Sequence, residues 1–340
     1  MHYITHQGEY DNNKSEYFMN LYFYQSATDL MTKLEATPAA VLGTLQKIRK
    51  SIVTPRNVFV QMSASLPKLI KMYGNKKVVE VWKHFFDPLN AKERSLGEKK
   101  EEVLSTKYQV MSESFYRDLY PPSRHVIASL PGTESCYLKQ AILYNDTNWD
   151  SEEAAPVRLM LQYLSDRMYD QIRGQGWTYT VGVSVSITEG RIKVYFSKAS
   201  QLIPAYKEFR GIISNYSNNV LEWDPILLDS AKGSLIYNWV EIEETPEGLS
   251  SASVLAYLRQ TEDSFYARKF VQRLSRVTVE DVKDVAQKYL PVFFHPNQTY
   301  TAVVCGPGEV DNVKKLFLEF DPPFQLEEII DLEKSVLTEV

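Results

Sequence analysis

Few residues in this sequence combine a reactive type with a suggestive spacing. Arg173 and Tyr179 are the first such pair, in the stretch Q-I-R-G-Q-G-W-T-Y from Gln171 to Tyr179. A guanidinium offers a fixed fork of donors to carbonyl oxygens. A phenol can donate to an oxygen that gains negative charge without itself carrying charge in the resting site. Gly174 and Gly176 lie between them, and glycine lets a backbone turn sharply and approach a bound chain closely. A plainer reading competes and, on the residues alone, is the stronger. A cation at a helix C-terminus gains from the helix dipole, and a tyrosine in a strand is ordinary packing.

The five histidines offer less. His2 and His6 have the spacing of the zinc-binding pattern H-x-x-E-H, but Thr5 stands where the glutamate belongs. In H-Q-G-E-Y, from His6 to Tyr10, a tyrosine replaces the second ligand. Both patterns sit in a polar terminus rather than on an amphipathic helix. His84, His125 and His295 have no ligand partner at metal spacing, and neither do Cys136 and Cys305. The expectation is that this chain holds no metal. Nucleotide and serine-hydrolase fingerprints are absent as well, and Gly174-Gln175-Gly176 alone is too weak to suggest a nucleotide.

The elements that must position Arg173 and Tyr179 are legible. Val157, Met160, Leu161, Leu164, Met168 and Ile172 recur at the spacing of one helix face. Asp150, Glu152 and Glu153 suit the helix N-terminus, Pro156 fits only near it, and the two glycines end it. Tyr179, Val181, Val183, Val185 and Ile187 then alternate with polar or small residues, as in a half-buried strand. Glu189-Gly190 marks a hairpin turn, and Ile192, Val194 and Phe196 continue the apolar face on the return.

Further along, helices are expected at 203–216 and from Asp224-Pro225 onward, with Leu228, Ala231, Leu235 and Trp239 on one face of the latter. Thr278 with Asp281 three positions on makes a capping-box start, and Val282, Val285, Ala286 and Tyr289 form the apolar face that follows. A proline break, a strand at 299–304 and a helix at 310–320 complete the series. A similar order runs from Thr37-Pro38 to Asp87-Pro88: a helix with Val41, Leu45 and Ile48 on one face, a break, a strand at 58–62 and a helix at 76–86. The endings V-W-K-H-F-F-D-P and K-L-F-L-E-F-D-P match in pattern. Strands at 126–130 and 135–144 are joined at Pro131-Gly132. The chain thus reads as two copies of one unit, the first entered partway through. The segments are 1–90, the C-terminal part of a penultimate unit; 91–118, a charged linker or exposed helix; and 119–340, a complete final unit. Hairpins without strict alternation of strand and helix indicate an α+β fold, each unit a mainly antiparallel sheet with helices packed on one face.

The chain has 340 residues, 44% hydrophobic and 24% charged, enough for about two cores. A net charge of −5 argues against a nucleic-acid surface, and no apolar run spans a bilayer. Two cysteines far apart suit a reducing, intracellular compartment, the cytoplasm ahead of the mitochondrion. The 22 tyrosines fit packing better than a peptide-binding surface.

The arginine-glycine-tyrosine turn at 171–179, set between a long helix and a strand hairpin, resembles the last domain of pitrilysin-like zinc peptidases. The six-residue step from arginine to tyrosine is similar to the presequence-protease branch. Trp177-Thr178 departs from the glycine-alanine that often precedes the tyrosine, which would alter substrate fit or simply pack. The resemblance implies a repeated pitrilysin-like α/β architecture and the C-terminal half of a zinc metalloendopeptidase. Zinc would be held by an N-terminal half that is a partner or part of the same polypeptide, and this chain alone would be inactive. Arg173, Gly174, Gly176 and Tyr179 would bind unfolded peptides as extended strands against a sheet edge. Tyr179 would also stabilise the oxyanion. A catalytically inactive scaffold or processing-type subunit that docks peptides or partners is the alternative.

Overall fold

The computed structural model describes residues 27–28, 30–52, 64–74 and 123–329, apart from 147, 188, 260 and 262–264. The histidine patterns between His2 and Tyr10, the strand at 58–62, the helix at 76–86 and the charged stretch at 91–118 lie outside the described residues.

Six strands make one sheet: β1 (Arg124–Ser129), β2 (Cys136–Leu143), β3 (Thr178–Ser186), β4 (Arg191–Ala199), β5 (Thr299–Cys305) and β6 (Glu327–Ile329). Their order is β3-β4-β2-β5-β1-β6. The β3–β4, β4–β2 and β2–β5 pairs are antiparallel, whereas β1 runs parallel to β5 and β6. The expected turn at Pro131-Gly132 is present, with Gly132 at φ 78°. The two strands that it joins do not pair with each other, because β5 enters between them. Sequence proximity alone did not reveal this insertion, since β5 arrives from more than 150 residues away.

Alternation along the central strands shows which face carries the core. Leu138, Ile142, Ile192, Val194, Phe196, Val303 and Cys305 are buried in one continuous apolar cluster with the helices. Tyr137, Lys139, Lys193, Tyr195 and Tyr300, on the opposite face, are only partly buried. The helices therefore pack on one face of a mainly antiparallel sheet, as the pattern predicted.

Helices α1 (Pro38–Ile52) and α2 (Leu66–Tyr73) precede this unit, and α3 (Ala154–Met168), α4 (Leu202–Ser217), α5 (Pro225–Glu241), α6 (Pro246–Leu258), α7 (Tyr266–Arg276), α8 (Val279–Tyr289) and α9 (Val310–Leu318) belong to it. All six predicted apolar positions of α3 and its extension are buried, each worth roughly 1.5–3 kcal/mol against exposure for a large side chain. Asp224 caps α5 by accepting from the Ile226 N–H at 2.8 Å, and Thr278 with Asp281 closes the capping box of α8. The helices α6 and α7 had no individual expectation.

The proposed first copy is only partly visible. In α1 the expected core face is not buried: Leu45 is 54% and Ile48 48% exposed. Helix α2 had not been foreseen, because Ser65 followed by a first-turn proline is a short signal.

A directional chain of hydrogen bonds crosses the core. Tyr206 donates to Gln140 Oε1 at 2.8 Å, and the Gln140 amide donates to the Phe293 carbonyl at 3.2 Å and to Thr301 Oγ1 at 3.3 Å. Thr301 then faces His125 Nδ1 at 3.1 Å, while His125 Nε2 faces the Pro296 carbonyl at 2.8 Å. A carbonyl can only accept, so Nε2 carries the proton and Nδ1 accepts from the threonine hydroxyl. Burial lowers the His125 pKa, only partly opposed by the bond to Pro296, and protonation of Nδ1 would reverse the Thr301 bond.

The sign of the linkage follows. The unfolded chain takes up a proton at His125 near its ordinary value, about 6.5, before the folded chain does. This contribution to stability is full above that pH and declines as pH falls toward the lower folded value. Urea unfolding measured stepwise from pH 7 to 5 should show falling stability, and His125→Gln should flatten that slope; an unchanged slope would show that His125 is not its source.

Candidate functional site

Arg173 and Tyr179 are brought together where the sequence placed them, at the end of the α3 helix and the start of β3. Helix α3 does not simply stop. It widens into a π-turn over Tyr169–Arg173, closed by the Gly174 N–H bonding to the Tyr169 carbonyl at 3.0 Å, a five-residue step. Ile172 is buried in the core, and this fixes the neighbouring Arg173 at the surface.

Gly174 has a steric reason. A Cβ there would lie 2.2 Å from the Asp170 carbonyl oxygen. Gly176 has a conformational one, with φ at 75°. Both glycines are thus required by the turn itself, independently of any bound chain.

The Arg173 side chain folds over that turn. Its Nε donates to the Tyr179 carbonyl at 2.9 Å, and Nη1 donates to the Tyr169 hydroxyl. The guanidinium carbon lies 4.6 Å from the Tyr169 ring centroid and 5.7 Å from that of Tyr179. Tyr179 is 63% exposed, although its strand neighbours Val181 and Val183 are buried. The tyrosine therefore stands on the core-facing side of the alternation but beyond the end of the core. Arg173 makes no ion pair among the described residues; Asp170, nearby in sequence, pairs with Arg167 at 3.3 Å.

Two members of this cluster were missed from sequence. Tyr169 lies four positions before Arg173, a helical spacing that could have signalled it. Lys198 lies on β4, where the Thr178–Ala199 and Thr180–Ser197 pairs flank it and Tyr179. Its Nζ is 5.5 Å from the Tyr179 ring centroid. Its φ is 50°, a left-handed conformation that costs a non-glycine residue about 1–2 kcal/mol. Nothing in a single sequence marks a lysine for that conformation.

Trp177 and Thr178 are packing residues. Trp177 lies against the core, and the Thr178 hydroxyl donates to the Ser197 carbonyl at 2.9 Å. The edge of β3 is partly used within the chain: Arg173 occupies the Tyr179 carbonyl, and Ser165 of α3 bonds both the N–H and the C=O of Val183 at 3.3 Å. A peptide adding to this edge as a strand would have to displace those bonds.

A cleft of about 290 Å³ lies beside the pair, lined by Tyr163, Asp166, Arg167, Tyr169, Asp170, Leu227 and Ser230. It shares Tyr169 with the cluster, and neither Arg173 nor Tyr179 lines it. Burial raises the Asp166 pKa, against the lowering effect of a 3.0 Å bond from Gln162.

The described residues do not fit a zinc ion. Among them, no group of three or more histidine, cysteine or acidic side chains is gathered as ligands. Both His125 nitrogens are engaged. Cys136 and Cys305 are free thiols, buried, and the bond between them together with burial pushes the Cys305 pKa well above its ordinary value, the reverse of what a thiolate ligand needs.

No protein-family model matches the sequence. An uncharacterised protein of Caenorhabditis elegans is 26% identical over 197 residues, which is 57% of this chain and 20% of that protein. An uncharacterised protein of Saccharomyces cerevisiae is 27% identical over 229 residues, 64% of this chain and 22% of its own length. The chain thus spans about a fifth of the length of these relatives. Among solved structures, a protease from Helicobacter pylori aligns with TM-score 0.48 and 13% identity over 71% of this chain and 59% of its own. Pitrilysin aligns with TM-score 0.43 and 15% identity over 64% of this chain and 23% of its own. Among the described residues, no helix is long and apolar enough to cross a membrane.

Gly174→Ala should lower unfolding free energy by about 1–3 kcal/mol and release Arg173 from the Tyr179 carbonyl. Denaturant titration measures the first, and amide exchange at 178–181 the second. Wild-type stability with unchanged exchange would show that the turn tolerates a Cβ.

Proposed function

We propose that this chain is the non-metal-binding C-terminal half of a pitrilysin-like zinc endopeptidase of the presequence-protease type, and that it holds unfolded peptides for hydrolysis. One observation carries the reading. A half-buried guanidinium is locked to the backbone of the exposed Tyr179 at a turn that needs one glycine for steric reasons, Gly174, and one for its positive φ, Gly176. A cation that only served the helix dipole would not need that clamp. Preorganised donors at the surface are what a substrate carbonyl requires.

In this reading Arg173 holds the peptide backbone and Tyr179 donates to the oxygen that becomes charged as the bond is attacked. Gly174 and Gly176 set the turn that presents them. Zinc belongs to the N-terminal half, which is the partner that closes the site; the residues of this chain supply none of its ligands. Because the β3 edge is already bonded at Tyr179 and Val183, an extended peptide would take its strand partner from that other half. The division is 1–90 as part of a penultimate unit, 91–118 as a linker and 119–340 as the final unit, in an intracellular enzyme.

The second reading, an inactive scaffold or processing-type subunit that docks peptides or partners, draws on a different observation: Arg173 and Tyr179 lie outside the cleft beside them. The two readings separate on cleavage assays. The isolated chain should not cut an unstructured peptide, and the complete protein should do so only with zinc. In the complete protein, Tyr179→Phe and Arg173→Ala should each lower kcat about 100-fold. Zinc-dependent cleavage by the isolated chain, or wild-type kinetics for both variants, contradicts the peptidase reading.

A further inference from the structure

Three arginines share one aromatic cluster at the opposite end of α3 from Arg173. The Arg158 guanidinium carbon lies 5.3 Å from the ring centroids of both Trp149 and Trp239, and that of Arg259 lies 3.8 Å from Trp149. Arg273 lies 5.4 Å from the Tyr266 ring. Arg273 is matched by acceptors: it donates to the Trp149 and Ser151 carbonyls at 3.3 and 3.4 Å and pairs with Asp150 at 3.7 Å. Its two neighbours are not. Among the described residues, Arg158 and Arg259 make no hydrogen bond and no ion pair.

Ring stacking does not account for them. An aromatic face attracts the charge of a guanidinium, but the five N–H donors lie in the guanidinium plane and need acceptors of their own. The Arg158 Nε is buried without one, and so are the hydroxyls of Tyr144 and Tyr266. Both phenols lie within electrostatic reach of Arg158. Burial lowers the pKa of both arginines, and the like charge of Arg158 lowers that of Arg259 further. Two half-buried cations side by side are costly to hold unless an anion joins them.

We propose that Arg158 and Arg259 form a binding site for a phosphate dianion, with the Tyr266 hydroxyl as a further donor. This site does not depend on the peptide-holding reading of Arg173 and Tyr179. Charge and shape favour the ligand class. The charges that act on Tyr266 are Arg158, Arg273, Asp150 and Arg259, three cations less one anion, on a chain whose net charge is −5. A phosphate monoester carries about two negative charges near neutral pH and accepts the forked donors of arginine. Arg158 and Arg259 are only partly buried, so an ion can reach them from solvent. Free phosphate and the phosphoryl group of a small ester present the same oxygens, and the experiment tells them apart.

The test is isothermal titration calorimetry on the complete protein, at constant ionic strength in a chloride buffer, with inorganic phosphate, phenyl phosphate and malonate. At least one of the two phosphates should bind saturably, and malonate, a dicarboxylate, should bind more weakly than it. The tighter of the two phosphates identifies the source as free ion or ester. Arg158→Gln and Arg259→Gln should each weaken that binding about tenfold, with folding checked by circular dichroism. Arg259 stands at the end of α6, so Arg259→Gln decides the matter alone if Arg158→Gln does not fold. Absence of saturable binding by either phosphate, malonate binding as tightly, or an affinity unchanged in a folded variant overturns the assignment.

Discussion

The buried stripe of α3 is the constraint on which the rest depends. Met160, Leu164, Met168 and Ile172 are all sealed in the core, so the helix cannot rotate or slide without exposing several large side chains. That locks the residue after Ile172 to the surface and determines where the chain must reverse. The π-turn and the two glycines accomplish the reversal within a few residues, and β3 begins immediately beyond. Arg173 and Tyr179 are therefore placed by packing that runs along the helix from Met160 to Ile172, the residue beside Arg173. Their exposure is a consequence of the core rather than a local choice.

A second set of interactions keeps the sheet from being merely an apolar raft. Tyr206, Gln140, Thr301 and His125 link α4, β2, β5 and β1 through bonds that each have a donor and an acceptor. Buried polar groups of this kind are costly if one partner is lost and specify alignment when all are satisfied. The chain runs across strands whose apolar residues could slide by two positions and still alternate correctly. The polar links distinguish one register from the next.

The legible parts of the molecule were those in which one local rule dominated. The apolar period of α3, the hairpin alternation, the Thr278–Asp281 capping box and the Asp224 cap all rest on interactions within a few residues of each other, and each stands as read. The insertion of β5 between β1 and β2 depends on pairing at long range, which alternation does not encode. Helix α1 shows the converse: its periodicity is real, yet Leu45 and Ile48 are exposed, because a period states only that a face exists and not that something covers it. At the site, Arg173, Gly174, Gly176 and Tyr179 could be picked out because they fall within one turn. Lys198 reaches the same place through hairpin register and an unusual backbone conformation, neither of which leaves a mark in its neighbours' identities.

The central claim is that the Tyr179 side chain meets a peptide. Placing the photoreactive residue p-benzoylphenylalanine at position 179 of the complete protein, with a chelator present to prevent turnover, and irradiating with an unstructured peptide tests it directly. The account predicts a peptide adduct at 179 that excess unlabelled peptide suppresses. Irradiation that yields no peptide adduct, or that joins position 179 only to residues of this chain's own core, would contradict it.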